Sequence, residues 1–170
     1  MIELLRQRRS IRKFKETTIE NEKIKLLSEA AVRSPTSRNK KAWKFIFIQD
    51  KETIQKLALS KTKGTAFLNS SPLAVVVCGN EEETDVWVED CSIASIILQL
   101  QAQSLGLSSC WGQIRKRKHN NTTASEEYVR SILKLPENFR IESIIGIGYP
   151  DEEKQGVPEN ELDYQKVEFR

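Results

Sequence analysis

A single histidine, His119, supplies all the imidazole in this chain of 170 residues, and only three cysteines accompany it, Cys78, Cys91 and Cys110. No Cys–His–Asx nucleophilic arrangement can be assembled from so few groups. Zinc held by the three thiols and His119 would lack any paired C-x-x-C spacing. The odd, widely spaced cysteines argue against a secreted disulfide framework and fit reduced thiols in a cytoplasmic protein. Neither a Walker A loop nor G-x-G-x-x-G occurs. The longest strongly apolar run, Leu73 to Cys78, is far too short to span a bilayer, and the N-terminus is too polar for a signal peptide. Without a triad or a metal site, redox chemistry would have to come from a bound cofactor.

The chain is about one domain long and can bury most of its apolar surface without a disulfide or metal. Its 30% charged and 38% hydrophobic residues are an ordinary soluble balance. A net charge of +3 is low for a dedicated nucleic-acid binder. The positive charge is local. Five of the eight residues from Arg6 to Lys13 are cationic, with Ser10 in their midst.

Periodicity predicts a helix over IENEKIKLLSEAAVR, ended by the SPTSRN loop, then a strand at Lys44–Gln49 and a helix over DKETIQKLALS. The apolar run Pro72–Gly79 suits a strand covered on both faces. VWVEDCSIASIILQLQAQSLG reads as a central helix, apolar on several sides, capped by Gly106. SSCWG reads as a short strand and SEEYVRSILKL as a helix with Ser125 as N-cap. Glu142–Pro150 reads as a strand, and the tail DYQKVEFR carries a weak strand alternation. Helices and strands are intermixed, so the class is α/β or α+β around a small sheet.

Four stretches carry candidate chemistry. RRSIR offers guanidinium forks and a hydroxyl, the donor types of a phosphate clamp, or else a solvated basic turn. SPTSRN offers small donors that could wrap a polar ring, or a plain connection. GLSSCWG allows close backbone approach to a flat ligand, with Cys110 better read as a small buried thiol than as a nucleophile. RKRKHNN is a solvated loop or a second anion contact. Glu89–Asp90 and Glu152–Glu153 read as surface carboxylates rather than an acid/base dyad.

The order of RRSIRKF, SPTSRNKKAWKFIFI, NSSPLAVVV, DCSIASIILQLQAQSLGLSSCWG and IESIIGIGYPDEEK resembles the nitroreductase family of FMN-dependent oxidoreductases over roughly residues 3–155. The resemblance implies an α+β fold, one FMN-binding domain over 1–170, with a central mixed sheet flanked by helices. It implies a homodimer with FMN at the subunit interface and a C-terminal strand, about 163–169, exchanged with the partner. It assigns Arg8, Arg9 and Ser10, with Arg12, to the FMN phosphate, and Lys154 as a further phosphate contact. It assigns Pro35, Thr36, Ser37 and Asn39 to the flavin of the other subunit. Ser109, Cys110, Trp111 and Gly112 pack near the ring. No protein acid or base is required: NADH or NADPH reduces the flavin, which then reduces a quinone or nitroaromatic in ping-pong fashion. Membranes and nucleic acids have no part in that scheme.

Two departures stand out. Lys40 and Lys41 precede Ala42–Trp43 where the family often has Gln-Pro-Trp, and the chain after Lys154 lacks an Arg-rich phosphate contact. The alternatives are a flavin-binding protein without reductase activity and a small basic nucleic-acid-binding domain.

Overall fold

A computed structural model describes residues 1–170. Five helices, α1 (Ile2–Gln7), α2 (Asn21–Val32), α3 (Lys51–Ala58), α4 (Trp87–Ser104) and α5 (Ser125–Leu133), surround four strands. The strands are β1 (Trp43–Ile48), β2 (Leu73–Asn80), β3 (Ser108–Gln113) and β4 (Phe139–Gly148), in the order β1-β2-β4-β3. Each pair is antiparallel. The sheet is mixed only through the isolated bridge Ser10↔Ser109, which is parallel and lays the N-terminal segment along the β3 edge.

Side chains alternate across the two central strands because a strand has a period of two. Leu73, Val75 and Val77 of β2 and Ile145 and Ile147 of β4 face a cluster closed by α2 and α4. Ala74, Val76, Cys78, Ile141 and Ile144 face the other cluster, closed by α3 and α5. Every residue of β2 is buried, as its unbroken apolar run requires. Val77 pairs with Ser143 and Cys78 with Ile141, so Glu142 is the extra residue of a bulge in β4.

The caps follow local chemistry. Asp50 accepts the Thr53 N–H at 2.8 Å and starts α3. Gly106, at φ +73°, ends α4. The Gly106 N–H donates to Gln103 O and the Leu107 N–H to Ala102 O, a complete Schellman motif.

Two expectations need correction, and one helix goes unpredicted. Ser125 is the first helical residue rather than the N-cap, and its buried hydroxyl has no partner; Glu127 instead accepts the N–H of the capping residue Ala124 at 3.3 Å. The C-terminal segment forms no strand. It carries two single 3-10 turns, Glu159–Glu161 and Tyr164–Lys166, because alternation alone, with no neighbouring edge to pair with, does not hold a strand. The short helix α1, whose apolar residues all remain at least partly exposed, has no sequence signal strong enough to predict it.

Candidate functional site

Three segments distant in sequence meet beside the β3 edge. Ile11 and Phe14 anchor the extended stretch after α1, at 5% and 3% exposure, and the residues between them face outward. Backbone bonds fix this stretch on both flanks. Ile11 N–H donates to Ser109 O at 3.1 Å, Lys15 N–H to Tyr149 O, and Asp151 N–H to Lys13 O. The 150–155 turn is therefore held against Arg9–Lys13.

Side chains then converge. Lys154 Nζ donates to Ser10 O at 3.1 Å and to Glu152 Oε1 at 2.8 Å. Glu152 also accepts the Arg12 N–H, and the Arg9 guanidinium donates to Gln155 O. The Lys154 ammonium, followed by the Arg12 amide, holds the Glu152 carboxyl down at about 2. Glu152 is thus a structural strut for Lys154 rather than half of an acid/base pair. Among Arg8, Arg9 and Arg12, none forms an ion pair, and the Ser10 hydroxyl has no hydrogen bond within the chain. The uncommitted Arg8 and Arg12 forks and a free hydroxyl, with Arg9 anchored beside them on Gln155 O, are a donor set that fits a phosphate group such as that of FMN.

On β3 the side chains alternate. Ser109 Oγ points to Gln99 Oε1 of α4 at 3.4 Å. Cys110 points the other way, and burial pushes its thiol up despite the opposing pull of Arg12 and Lys154. It stays protonated, which suits packing rather than nucleophilic attack. His119 lies elsewhere, its ring stacked on Tyr128 at 3.9 Å. Trp111 Nε1 donates to Gln113 Oε1 at 2.9 Å. A Cβ at Gly112 would stand 3.2 Å from Ile144 O and from Thr65 Cγ2, so this crossing tolerates little beyond glycine.

The loop after α2 sits apart from this cluster. Ser37 N–H donates to Asp90 Oδ1 at 2.9 Å, and Pro35 and Thr36 line a shallow cavity with Val86, Glu89 and Ile93. Asp90 and Gln99 are nine residues apart on α4, about 14 Å along its axis. Arg38, Asn39 and Lys41 all have positive φ, between 51° and 55°. Such conformations cost on the order of 1 kcal/mol each in non-glycine residues and gather where the surroundings impose them. The structure therefore brings Arg8, Arg9, Ser10, Arg12, Ser109, Cys110 and Lys154 together, carries Trp111 and Gly112 along the same strand, and leaves Pro35, Thr36, Ser37 and Asn39 in a second group.

Several residues here escaped sequence reasoning. Asp90 is 4% exposed and buried rather than superficial, with Oδ2 unpartnered. Glu142 is equally buried; Gln113 Nε2 donates to it at 3.3 Å and Ser92 Oγ at 3.5 Å, while its Oε2 is unpartnered. Burial raises its pKa. Arg115 lies over the Trp87 ring at 5.7 Å. Lys61 is half-buried near Cys110. Only the bulge and the packing of α4 bring these carboxylates inside; in the sequence they look like ordinary charged residues.

Residues 5–66 match the model of the nitroreductase family. A provisionally named NADH dehydrogenase/NAD(P)H nitroreductase of Archaeoglobus fulgidus is 32% identical over 157 residues, spanning 90% of this chain and 87% of its own. A counterpart of the same name in Methanothermobacter thermautotrophicus is also 32% identical, over 89% of this chain and 78% of its own. The solved structure of an FMN-dependent nitroreductase from Clostridium difficile R20291 superposes with a TM-score of 0.97 at 45% identity, covering 99% of this chain and 98% of that one. Fold and family likeness together define a flavin-dependent oxidoreductase of the α+β type. The chain belongs to the nitroreductase family, and it is an FMN-dependent NAD(P)H oxidoreductase.

Proposed function

We propose that Arg8, Arg9, Arg12 and the Ser10 hydroxyl bind the FMN phosphate, with Lys154 braced by Glu152 beside them. The observation that carries this is the meeting of that basic segment, the β3 edge and the 150–155 turn, held by backbone hydrogen bonds. Ser109, Cys110, Trp111 and Gly112 line the ring's resting place, and the buried thiol and close-packed glycine keep that wall dry. When bound, FMN supplies a two-electron relay between a nicotinamide donor and an acceptor such as a quinone or nitroaromatic.

The chain's own task is to bind, orient and exclude water. Donor and acceptor take turns in one pocket, which makes the kinetics ping-pong. Pro35, Thr36, Ser37 and Asn39 serve the site of the other subunit in a homodimer; their distance from the phosphate cluster of their own chain supports that division. Residues 157–169, exposed throughout, are the segment available to cross to the partner. No helix of the chain is long and apolar enough to cross a membrane, and three buried free thiols suit a reducing cytoplasm.

The test is the visible spectrum of the purified protein, followed by denaturation and quantification of the released chromophore. One FMN per chain, lost in an Arg8→Ala/Arg12→Ala variant that still folds, is the expected result. A colourless protein that takes up no added FMN overturns the assignment.

A further inference from the structure

Two loops beyond the FMN cluster concentrate positive charge, of which only Arg115 has a carboxylate, Glu142, nearby. Residues 59–65 carry Lys61 and Lys63. Residues 114–121 carry Arg115, Lys116, Arg117 and Lys118. Together they hold six cations and no carboxylate. None of the six takes part in an ion pair, and Arg115 is occupied over Trp87.

The loops are held side by side rather than left to drift apart. His119 Nδ1 bonds to Leu59 O at 2.8 Å, its ring stacks on Tyr128, and Tyr128 Oη donates to Lys56 O at 3.1 Å. The bridge Lys118↔Ala124 closes the second loop on itself. The clamp sets the stretch from Leu59 to Lys61 beside that from Arg117 to His119, and the Lys61 ammonium is disfavoured first by burial and then by the charge of Arg117. A chain that confines like charges without an internal counter-ion gains when an anion binds between them.

The patch adjoins the cofactor strand, because Thr65 at the end of the first loop packs its methyl group against Gly112 of β3. FMN carries one phosphate, already provided for by Arg8–Arg12 and Lys154. The second basic set suits a further phosphate, and the hydride donor is the ligand that this reaction brings to the same pocket. NADPH differs from NADH by one further phosphate, a dianion for which Lys61 and Arg117 offer a point charge and a planar fork. We infer that the Lys61–Arg117 patch binds the additional phosphate of NADPH, so that this enzyme prefers NADPH to NADH. The inference rests on the oxidoreductase reading above. A nucleic-acid ligand is less favoured, because the two aromatic rings at the loops are stacked on each other and offer no free platform for bases.

The experiment uses FMN-loaded protein. Calorimetric titration compares 2′,5′-ADP with 5′-AMP, and anaerobic stopped-flow reduction compares NADPH with NADH. A charge-assisted contact to phosphate is worth about tenfold in affinity or more. We expect 2′,5′-ADP to bind at least about tenfold tighter than 5′-AMP, and NADPH to reduce the protein at correspondingly lower concentration. Lys61→Ala/Arg117→Ala should bring both ratios to about one while FMN per chain and thermal unfolding hold. Lys61→Arg should restore most of the preference.

Equal binding of the two nucleotides by the wild type overturns the inference whatever the turnover. So does a double variant that keeps the preference, or a duplex oligonucleotide that outcompetes 2′,5′-ADP. Loss of FMN, or no reduction by either donor, would instead count against the functional assignment.

Discussion

The two faces of the sheet bury their apolar surface in different ways. On one face, α3 and α5 bury a stripe each, Ile54 and Leu57 on α3 and Val129 on α5, and the one charged side chain buried with them, Glu126, is paired with Arg140. On the other, α4 is apolar nearly all round. Its inner side packs Cys91, Ala94, Leu98 and Ala102, yet Ile93 and Ile96 stay 41% and 38% exposed. Leu26 and Val32 of α2, and Ile2 and Leu5 of α1, are exposed too. Apart from Leu59 at the end of α3, which is 62% exposed, the α3–α5 face is finished within one chain. The α4 face leaves these apolar side chains uncovered within one chain, and in the proposed homodimer a second copy would cover them. The loop with Pro35, Thr36, Ser37 and Asn39 belongs to this unfinished face, because Ile93 and Asp90 line the cavity it borders.

The largest effect should come from the core beneath α4. Leu98→Ala removes a fully buried side chain and should cost about 3 kcal/mol in chemical denaturation. A loss below about 1 kcal/mol would mean that this face packs more loosely than described.

Next comes the outer side of the same helix. Ile93→Lys with Ile96→Lys should leave the fold of one chain intact, yet weaken the dimer about a hundredfold in sedimentation, near 2.7 kcal/mol. FMN should be lost together with the dimer. Unchanged sedimentation at low concentration would dissociate the exposed isoleucines from assembly.

A smaller effect separates the buried carboxylates. Glu142→Gln keeps an acceptor for Gln113 and removes a charge that burial disfavours, as the raised pKa records. The cost of the charged form is present above the raised value and relieved below it. The variant should therefore gain about 1 kcal/mol at neutral pH, an advantage that shrinks as the medium is acidified. A variant less stable than wild type at neutral pH would show that the carboxylate is needed there.

The smallest effect is at Glu152. Its depressed pKa stabilises the docked 150–155 turn above the ordinary carboxylate range, and that contribution fades as pH falls toward about 2. The Arg12 amide resonance should titrate with a midpoint near 2 and lose that titration in Glu152→Gln. An Arg12 midpoint at the ordinary carboxylate value would remove Glu152 as the strut.

Much of the architecture was legible in advance for a local reason. The continuous apolar run of β2, the length and periodicity of α4 and the Gly106 cap are all written within a few turns of chain. The tail was misread because alternating Val167 and Phe169 mean nothing without an edge to pair with, and α1 was missed because six residues give no reliable period. Asp90 and Glu142 were invisible as site residues, since burial of a carboxylate is decided by what packs over it.

By itself the sequence determined the strands, the major helices, the family motif order and the basic segment at Arg6–Lys13, because these depend on near neighbours and on residue chemistry. Only the tertiary structure decided that Ser10 pairs with Ser109, that Lys154 folds back onto Ser10, and that His119 meets Leu59. Those are contacts between residues tens of positions apart or more. Their energies exist only once the sheet has ordered its strands and brought the loops together.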